Sequence, residues 1–161
     1  MVAAYIGLGS NLDDPAARIA SALQSISLIP ETILLRCSSR YRSRPQGPQD
    51  QPDYINAVAQ IDTHLTAEQL LECLQEIEKQ QGRVRTQRWG PRTLDLDLLL
   101  FGDAVLHSDT LTVPHPEIHR RAFVLYPLHE IAPDIEIPGH GRIGLLLRGI
   151  NPDEVEKMEQ E

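Results

Sequence analysis

The order of the regular segments in the first 101 residues constrains the fold more than any other feature of the chain. Strand-like segments cover residues 2–8, 32–41, 54–61 and 94–101, and helical segments follow the first and the third of them. A chain that runs strand, helix, strand, strand, helix, strand is typical of a ferredoxin-like α+β sandwich. We therefore predict an antiparallel sheet with helices packed on it, followed by extra C-terminal elements.

Capping signals and alternation support these assignments. Asp14 and Pro15 are an N-cap and a first-turn proline, and Thr66 with Gln69 forms a capping box that opens the second helix. In residues 54–61 every second side chain is Ile or Ala, which predicts a strand with these four side chains on one face and those of Tyr54, Asn56, Val58 and Gln60 on the other.

The two other strands make more specific predictions. In residues 32–41, Ile33, Leu35 and Cys37 form the more apolar face. Residues 94–101 are the most hydrophobic strand and are apolar on both faces in their second half, which favours a central position in the sheet. Strand periodicity puts one set of leucines on the same face of this segment: Leu94, Leu96, Leu98 and Leu100.

Length and composition favour a single domain. The 161 residues, 41% apolar and 24% charged, fit one core, which we place at 1–150, and we expect the acidic tail at 151–161 to fray. No apolar run approaches the roughly 18 residues of a membrane span, and the start lacks the basic region of a signal peptide, so we expect a cytoplasmic protein. Cys37 and Cys73 show no metal-binding spacing and are expected to be buried free thiols.

The distribution of charge narrows the class of partner. A net charge of −8 argues against binding to nucleic acid or to anionic membranes. Nevertheless, all of the 15 basic residues except Lys79 and Lys157 are arginines, and four of them fall within ten residues, at positions 83, 85, 88 and 92. Guanidinium groups match phosphate oxygens, so this cluster predicts an anionic partner smaller than DNA.

The most informative pair of residues is Asp95 and Asp97. They share the face of the strand opposite to the leucines, and two carboxylates about 6–7 Å apart repel each other unless a cation lies between them. Mg²⁺ is the natural choice, because it binds one or two carboxylates together with phosphate oxygens. The alternative is a pair of solvated carboxylates on an exposed sheet edge.

Other motifs exclude or weaken competing functions. No P-loop motif is present, and Gly7 and Gly9 lack the third glycine of a dinucleotide fingerprint, so we interpret them as part of a strand-to-helix turn. His115 and His119 have the spacing of zinc ligands on a helix, although Pro114 and Pro116 disfavour that helix. A non-catalytic nucleotide-binding domain of the same fold is the second alternative.

The segment from Arg88 to Leu99 resembles the signature of the 6-hydroxymethyl-7,8-dihydropterin pyrophosphokinase family. Further family motifs are matched in order along residues 2–135. They are Gly9-Ser10-Asn11-Leu12, Gly47-Pro48-Gln49-Asp50-Gln51-Pro52-Asp53-Tyr54 with Asn56, Gln80-Gln81-Gly82-Arg83-Val84-Arg85, Leu111-Thr112-Val113-Pro114-His115 and Glu130-Ile131-Ala132-Pro133. The resemblance implies the same sandwich fold and a stand-alone enzyme of folate biosynthesis, which transfers the β,γ-diphosphate of Mg·ATP to the hydroxymethyl group of the pterin and releases AMP.

The resemblance also implies the residues that bind metal and nucleotide. Asp95 and Asp97 would hold two Mg²⁺ ions, and Arg83 and Arg92 would clamp the phosphates as catalytic residues together with Asp97. Arg92 would thereby also contact ATP. The other ATP-binding residues would be Gln75, Glu78, Arg85, Trp89, Leu98, Thr112, His115 and Arg121.

The pterin site is implied in the same way. The ring would lie between Tyr54 and Phe123, and Asn56 would hydrogen-bond its edge. The other pterin-binding residues would be Ser43, Gly47, Trp89 and Asp95. The chain departs from the family's Thr-Pro-Pro-Leu-Gly segment at Arg44 and Gln46, which are larger or more polar. The implied partners are two small molecules, ATP and the hydroxymethyl-dihydropterin, bound by a monomer.

The implied reaction is an in-line attack of the pterin hydroxyl on the β-phosphorus, with charge absorbed by the metals and arginines. Whether Asp97 accepts the hydroxyl proton is left open. Segments 44–53 and 83–92 are rich in Pro, Gly, Arg and Gln, and we expect them to close over both substrates and exclude water.

Overall fold

The computed structural model describes residues 1–11, 14–44, 52–81 and 94–158. The strands are β1 (Val2–Ser10), β2 (Thr32–Cys37), β3 (Tyr41–Ser43), β4 (Tyr54–Thr63), β5 (Asp95–Phe101), β6 (Leu106–His107), β7 (Thr112–Val113), β8 (Glu136–Ile137), β9 (Gly141–Arg142) and β10 (Val155–Lys157). The α-helices are α1 (Pro15–Ser27), α2 (Ala67–Gln80), α3 (Ala122–Ile131) and α4 (Ile143–Leu147), and short 3₁₀ turns cover Ile118–Arg120 and Pro152–Glu154.

Within these residues the main sheet has six antiparallel strands. Its order is β10-β3-β4-β1-β5, and β2 pairs with the same edge of β4 as β3 does. The crossovers β1-α1-β2 and β4-α2-β5 pack both helices on one face of the sheet, where they bury one large apolar cluster. α3 covers part of the opposite face with a second cluster. This confirms the predicted ferredoxin-like sandwich.

Both predicted helix starts are confirmed. The Asp14 carboxylate accepts a hydrogen bond from the Ala17 N–H at 3.3 Å, ahead of Pro15. Thr66 and Gln69 exchange side-chain and main-chain hydrogen bonds of 2.9 and 3.1 Å, which complete the capping box. These local interactions satisfy N–H groups that a helix leaves unpaired at its start.

The predicted central position of β5 is wrong. Among the described residues β5 pairs only with β1, at the edge of the main sheet. The strand is nevertheless buried, because clusters cover both faces and its outer edge is hydrogen-bonded: Leu96 N–H donates to the Glu78 carboxylate, and Leu99 C=O accepts from the His115 N–H. The continuous apolar run therefore indicated that β5 is buried, but it did not indicate the position of β5 in the sheet.

The predicted side of Leu100 is also wrong. The register steps from Tyr5 opposite Leu100 to Ile6 opposite Leu98, so Leu99 is an extra residue in β5. A bulge of this kind breaks the period of two. As a result, Leu98 packs with α1 and α2, whereas Leu99 and Leu100 both pack under α3.

The strand predicted at 32–41 is interrupted and partly inverted. β2 ends at Cys37, and pairing with β4 resumes in β3 at Tyr41. Ile33 and Leu35 are 52% and 44% exposed, and it is Leu34 that packs against the large cluster. Ile33 and Leu35 therefore do not pack against the large cluster, and the apolar count of their face did not predict burial.

The C-terminal segment differs from the frayed tail predicted for 151–161. β10 pairs with β3, Met158 N–H donates to Arg40 C=O at 2.9 Å, and Met158 packs against the large cluster. Met158 supplies an apolar contact that the count of acidic residues obscured. Residues 159–161 lie outside the described part.

Two smaller findings concern the thiols and membrane insertion. Cys37 and Cys73 are free thiols, half-buried rather than fully buried, and burial raises the pKa of both. No helix in the described part of the chain is both long and apolar enough to cross a membrane.

Candidate active site

A cavity of about 190 Å³ opens on the face of the sheet opposite to α1 and α2. Strands β1, β4 and β5 form its floor, and the end of β3 and the start of α3 form its rim. The described residues that line it are Gly7, Leu8, Gly9, Ser43, Arg44, Tyr54, Asn56, Ala57, Asp95, Asp97, Arg121, Phe123 and Val124. Seven of the residues predicted for the site from sequence are among them: Ser43, Tyr54, Asn56, Asp95, Asp97, Arg121 and Phe123.

Asp95 and Asp97 lie on one wall of this cavity, as strand periodicity predicts. They pair in register with Gly9 and Gly7 of β1, and both are half-buried. They therefore face a cavity even though β5 is an edge strand, which disfavours the alternative of freely solvated carboxylates. No group of three or more His, Cys, Asp or Glu side chains among the described residues forms a metal cage. Two carboxylates beside open space fit Mg²⁺, which completes its shell with water and phosphate oxygens.

Gly7 and Gly9 make the floor of the cavity flat. Both belong to β1 and not to the strand-to-helix turn that we predicted, which corrects that interpretation. A Cβ atom at Gly9 would lie 3.1 Å from Asn56 Oδ1, closer than an ordinary contact. Two glycines spaced by two within a strand were the signal for this floor, because they remove side chains from one face only.

The pairing of β3 with β4 builds the amide wall. Ser43 lies opposite Tyr54, and Asn56 Nδ2 donates to Ser43 Oγ at 2.8 Å. Asn56 is only 4% exposed, and this bond fixes its carboxamide with Oδ1 directed at the Gly9 floor. A buried, oriented amide can recognise the polar edge of a flat ring.

The start of α3 supplies an aromatic ring and a cation. Arg121 is the residue before the helix, and its guanidinium carbon lies 5.4 Å from the centre of the Phe123 ring. Both side chains are half-buried and line the cavity. Arg44 lines the same cavity from the end of β3 and is exposed.

His115 is held next to this group. Its N–H donates to Leu99 C=O at 3.0 Å, and its Nδ1 accepts the Glu117 N–H at 3.1 Å. Burial lowers the pKa of His115; the nearby Asp97 carboxylate opposes this shift and the Arg121 guanidinium adds to it. The neutral ring therefore carries its proton on Nε2, so His115 offers one N–H donor close to Asp97 and Arg121.

The alternative of a zinc site on His115 and His119 finds no support. Residues Ile118–Arg120 form a 3₁₀ turn, so no helix runs through both histidines. The His119 ring instead stacks on His140, with ring centres 4.4 Å apart.

Four residues that the resemblance assigns to ATP lie on β5 or on elements that pack against it. Gln75 and Glu78 lie on α2, and Thr112 lies on β7, which packs beside β5. Leu98 is 4% exposed with its side chain in the large cluster, so it can contact a ligand only through its main chain. Leu96 N–H faces the outer edge, and by strand periodicity the main-chain groups of Leu98 face it too.

The remaining predicted site residues are Gly47, Arg83, Arg85, Trp89 and Arg92, and they lie outside the described residues. Most of segment 44–53 and all of segment 83–92 lie outside as well. Sequence reasoning missed Gly7, Gly9 and Val124 as lining residues, and Glu117 as the residue that orients His115.

The described site has two walls. Asp95 and Asp97 form an acidic wall, and Asn56 and Phe123 form an amide and aromatic wall opposite it. Its carboxylates suit a metal-bound polyphosphate, and its flat floor suits a planar acceptor. This combination fits the class of phosphoryl-transfer enzymes.

Comparison with known proteins resolves the particular family. The model of the 7,8-dihydro-6-hydroxymethylpterin-pyrophosphokinase (HPPK) family matches residues 5–133. The 2-amino-4-hydroxy-6-hydroxymethyldihydropteridine pyrophosphokinase of Haemophilus influenzae is 54% identical over 138 residues, 86% of each chain. The protein of the same name from Pseudomonas aeruginosa is 48% identical over 154 residues, 96% of this chain and 95% of its own. The chain therefore belongs to the HPPK family of pyrophosphokinases.

Solved structures show the same fold. The crystal structure of an HPPK-DHPS in complex with substrates superposes with a TM-score of 0.75 over 98% of this chain, at 11% identity. A Plasmodium falciparum HPPK-DHPS carrying A437G, with SDX-DHP, gives 0.75 over 97% at 12% identity. The chain spans 48% of each of those two chains, about half of their length.

Proposed function

We propose that this protein transfers the β,γ-diphosphate of ATP to the hydroxymethyl group of 6-hydroxymethyl-7,8-dihydropterin, giving AMP and the pterin diphosphate for folate biosynthesis. Membership of the HPPK family supports this reaction. The observation that carries it is one cavity with Asp95 and Asp97 on one wall and Asn56 and Phe123 on the other. Such a cavity brings a metal-bound phosphate chain and a flat polar ring within reach of each other.

The pterin is proposed to lie on the glycine floor. Asn56 would hydrogen-bond its edge through the amide groups not committed to Ser43, and Tyr54 and Phe123 would contact its faces. A flat floor at Gly9 leaves room for a ring that any larger residue would displace. Gly47 and Trp89 stay predictions for the same ligand.

The acidic wall would hold two Mg²⁺ ions bound with ATP. Bound there, Mg²⁺ neutralises phosphate charge and favours attack on the β-phosphorus. Asp95 and Asp97 would be its protein ligands, because each carboxylate faces the cavity from a strand fixed by pairing with β1.

The chain's own groups would orient the phosphates. His115 presents an Nε2–H donor, and Arg121 presents a guanidinium close to it, so both can bind phosphate oxygens beside Asp97. Arg83, Arg85 and Arg92 are proposed to contribute in the same manner from outside the described residues. Gln75, Leu98 and Thr112 would border the nucleoside along β5.

Further proposals follow from the sequence. We expect a monomer that is located in the cytoplasm and binds small molecules. We expect no binding of nucleic acid, because the net charge of −8 repels polyanions. The single domain at 1–150 also stays a prediction. A non-catalytic nucleotide-binding domain is not favoured, because it would need neither paired carboxylates nor an amide and aromatic wall opposite them.

The test is product identity. The protein, ATP, Mg²⁺ and the hydroxymethyl-dihydropterin are incubated, and nucleotides are separated by chromatography. AMP formed in equal amount to pterin diphosphate, and only when the pterin is present, is the expected result. ADP with a pterin monophosphate would show attack at the γ-phosphorus, and no turnover with a folded protein would refute the proposal.

A further inference from the structure

Glu78 is a buried carboxylate placed against the strand that carries both aspartates. It is 8% exposed, on the last turn of α2, and its Oε2 accepts the Leu96 N–H at 2.9 Å. A buried carboxylate is stable only when it is hydrogen-bonded, so this contact is part of the fold.

The position of Leu96 gives that hydrogen bond its importance. Leu96 lies between Asp95 and Asp97 at the beginning of β5, and Leu8 of β1 is its partner in register. β1 holds the inner edge of this part of the strand, and Glu78 holds the outer edge through the Leu96 N–H. Rotation of the strand about its axis would swing both aspartate side chains, since they project from the residues on either side of Leu96.

We infer that Glu78 is a positioning residue for Asp95 and Asp97, and not primarily a nucleoside ligand as the family resemblance implies. Its carboxylate fixes the edge of β5 so that the two aspartates face the cavity together. This inference rests on the proposed function, because it takes the aspartate pair to be the metal site. Groups that orient metal ligands from behind typically change metal affinity about 10–100-fold when they are removed.

The main test compares two substitutions at this position. Glu78→Ala removes the acceptor, so the affinity for Mn²⁺ in the presence of an unreactive ATP analogue should fall about tenfold. Glu78→Gln keeps an amide oxygen that can accept the Leu96 N–H, so its Mn²⁺ affinity should stay within about threefold of the wild type. Free Mn²⁺ is measured by electron paramagnetic resonance. The matched control is Glu76→Ala, because Glu76 is exposed on the same helix and accepts a bond from Gln80 at 3.5 Å.

Two further readouts separate positioning from nucleoside binding. Hydrogen exchange of the Leu96 amide, followed by NMR in the absence of ligand, should accelerate in Glu78→Ala and not in Glu78→Gln. AMP carries the nucleoside without the transferred diphosphate, so its affinity should change less than about twofold in Glu78→Ala. If Glu78→Ala does not fold, Glu78→Asp replaces it, because the shorter side chain withdraws the oxygen from Leu96.

The outcomes are distinct. Unchanged Mn²⁺ affinity in Glu78→Ala, or an equal loss in Glu78→Gln, overturns the inference. Loss of AMP affinity with normal Mn²⁺ affinity makes Glu78 a nucleoside ligand. A wild-type protein that forms no AMP from ATP and pterin refutes the proposed function instead, and the exchange of the Leu96 amide still reports whether Glu78 holds β5.

Discussion

Glu130 near the end of α3 should be the residue whose removal most destabilises the side of the sheet that bears the site. Its Oε1 accepts the Tyr41 hydroxyl at 2.5 Å, and its Oε2 accepts the Ser39 N–H at 2.8 Å and the Ser39 Oγ at 3.0 Å. Lys157 of β10 lies 3.8 Å away but is 59% exposed. One carboxylate thus ties α3 to the segment between β2 and β3.

The expected loss follows from these contacts. Hydrogen bonds to a charged group contribute about 1.5–3 kcal/mol each, although contributions in one network do not add. Glu130→Ala also leaves the buried Ser39 N–H and Tyr41 hydroxyl without an acceptor, so the free energy of unfolding should fall by about 3–5 kcal/mol. Tyr41→Phe should cost about 1–2 kcal/mol, and Lys157→Ala less than about 1 kcal/mol, because exposed ion pairs contribute little.

The hydrogen bonds of Glu130 also make the free energy of unfolding depend on pH. Burial alone would raise the pKa of Glu130, but the hydrogen bonds from Tyr41 and Ser39 lower it below its ordinary value. Burial and the bond to Glu130 raise the pKa of Tyr41. The lowered Glu130 pKa gives stability that is present above the unfolded value, about 4.3, and is lost as pH falls through the folded value. The raised Tyr41 pKa gives stability that is lost as pH rises above about 10.

Equilibrium unfolding in urea, repeated from pH 3 to 10.5, measures both effects. The difference between wild type and Glu130→Gln should be largest between about pH 5 and 9 and should shrink on either side of that window. Glu136→Ala is the matched control, since Glu136 is exposed on β8. A Glu130→Ala variant within about 0.5 kcal/mol of wild type at pH 7 would refute the reasoning, and so would additive losses in the cycle that combines Glu130→Ala with Tyr41→Phe.

Three other substitutions test the site. Asp97→Asn should lower turnover by more than about 10³-fold while the metal-free protein keeps or gains stability, because a charge repulsion is removed; near-normal turnover across a Mg²⁺ titration would argue against the acidic wall. Gly9→Ala should weaken pterin binding about tenfold in a fluorescence titration, because its Cβ would lie 3.1 Å from Asn56 Oδ1. Gly7→Ala is the milder control, because its Cβ would lie 3.4 Å from the side-chain carbons of Leu99. Equal pterin affinities of Gly9→Ala and the wild type would disprove the glycine floor. His115→Ala should lower kcat/KM for ATP about 10–100-fold with little change in the KM of the pterin, and a selective rise in the pterin KM would contradict that role.

Local chemistry made much of the fold predictable. Asp14, Thr66 and Gln69 interact with their immediate neighbours in sequence, so their roles depend little on the rest of the chain. The alternation in β4 depends only on the period of a strand, and it correctly separates Ile55 from Asn56. Periodicity likewise put Asp95 and Asp97 on one face, which is the basis of the candidate site.

The errors arise where contacts between residues far apart in the sequence determine the structure. β5 is buried at an edge because Glu78 and His115 cover it from distant parts of the chain, and no window of sequence contains those contacts. The bulge at Leu99 follows from the fit of β5 to β1, so a strict period of two assigned Leu100 to the wrong face. The C-terminal tail joins the sheet by pairing with the edge of β3. The composition of the tail alone could not indicate this pairing.

The edge position of β5 also bears on the proposed chemistry. An inner strand has both rows of main-chain groups committed to its neighbours, so it can offer a ligand only its side chains. β5 has one neighbour in the described sheet, and its outer edge presents the main-chain groups of Leu98. The same strand directs Asp95 and Asp97 into the cavity. The main-chain groups of Leu98 could thus contact the base of a nucleotide bound along that edge, while the phosphates reach the carboxylates of Asp97 and Asp95, one and three residues before Leu98. In a central β5 the partner strand would occupy the edge, and that arrangement would be impossible.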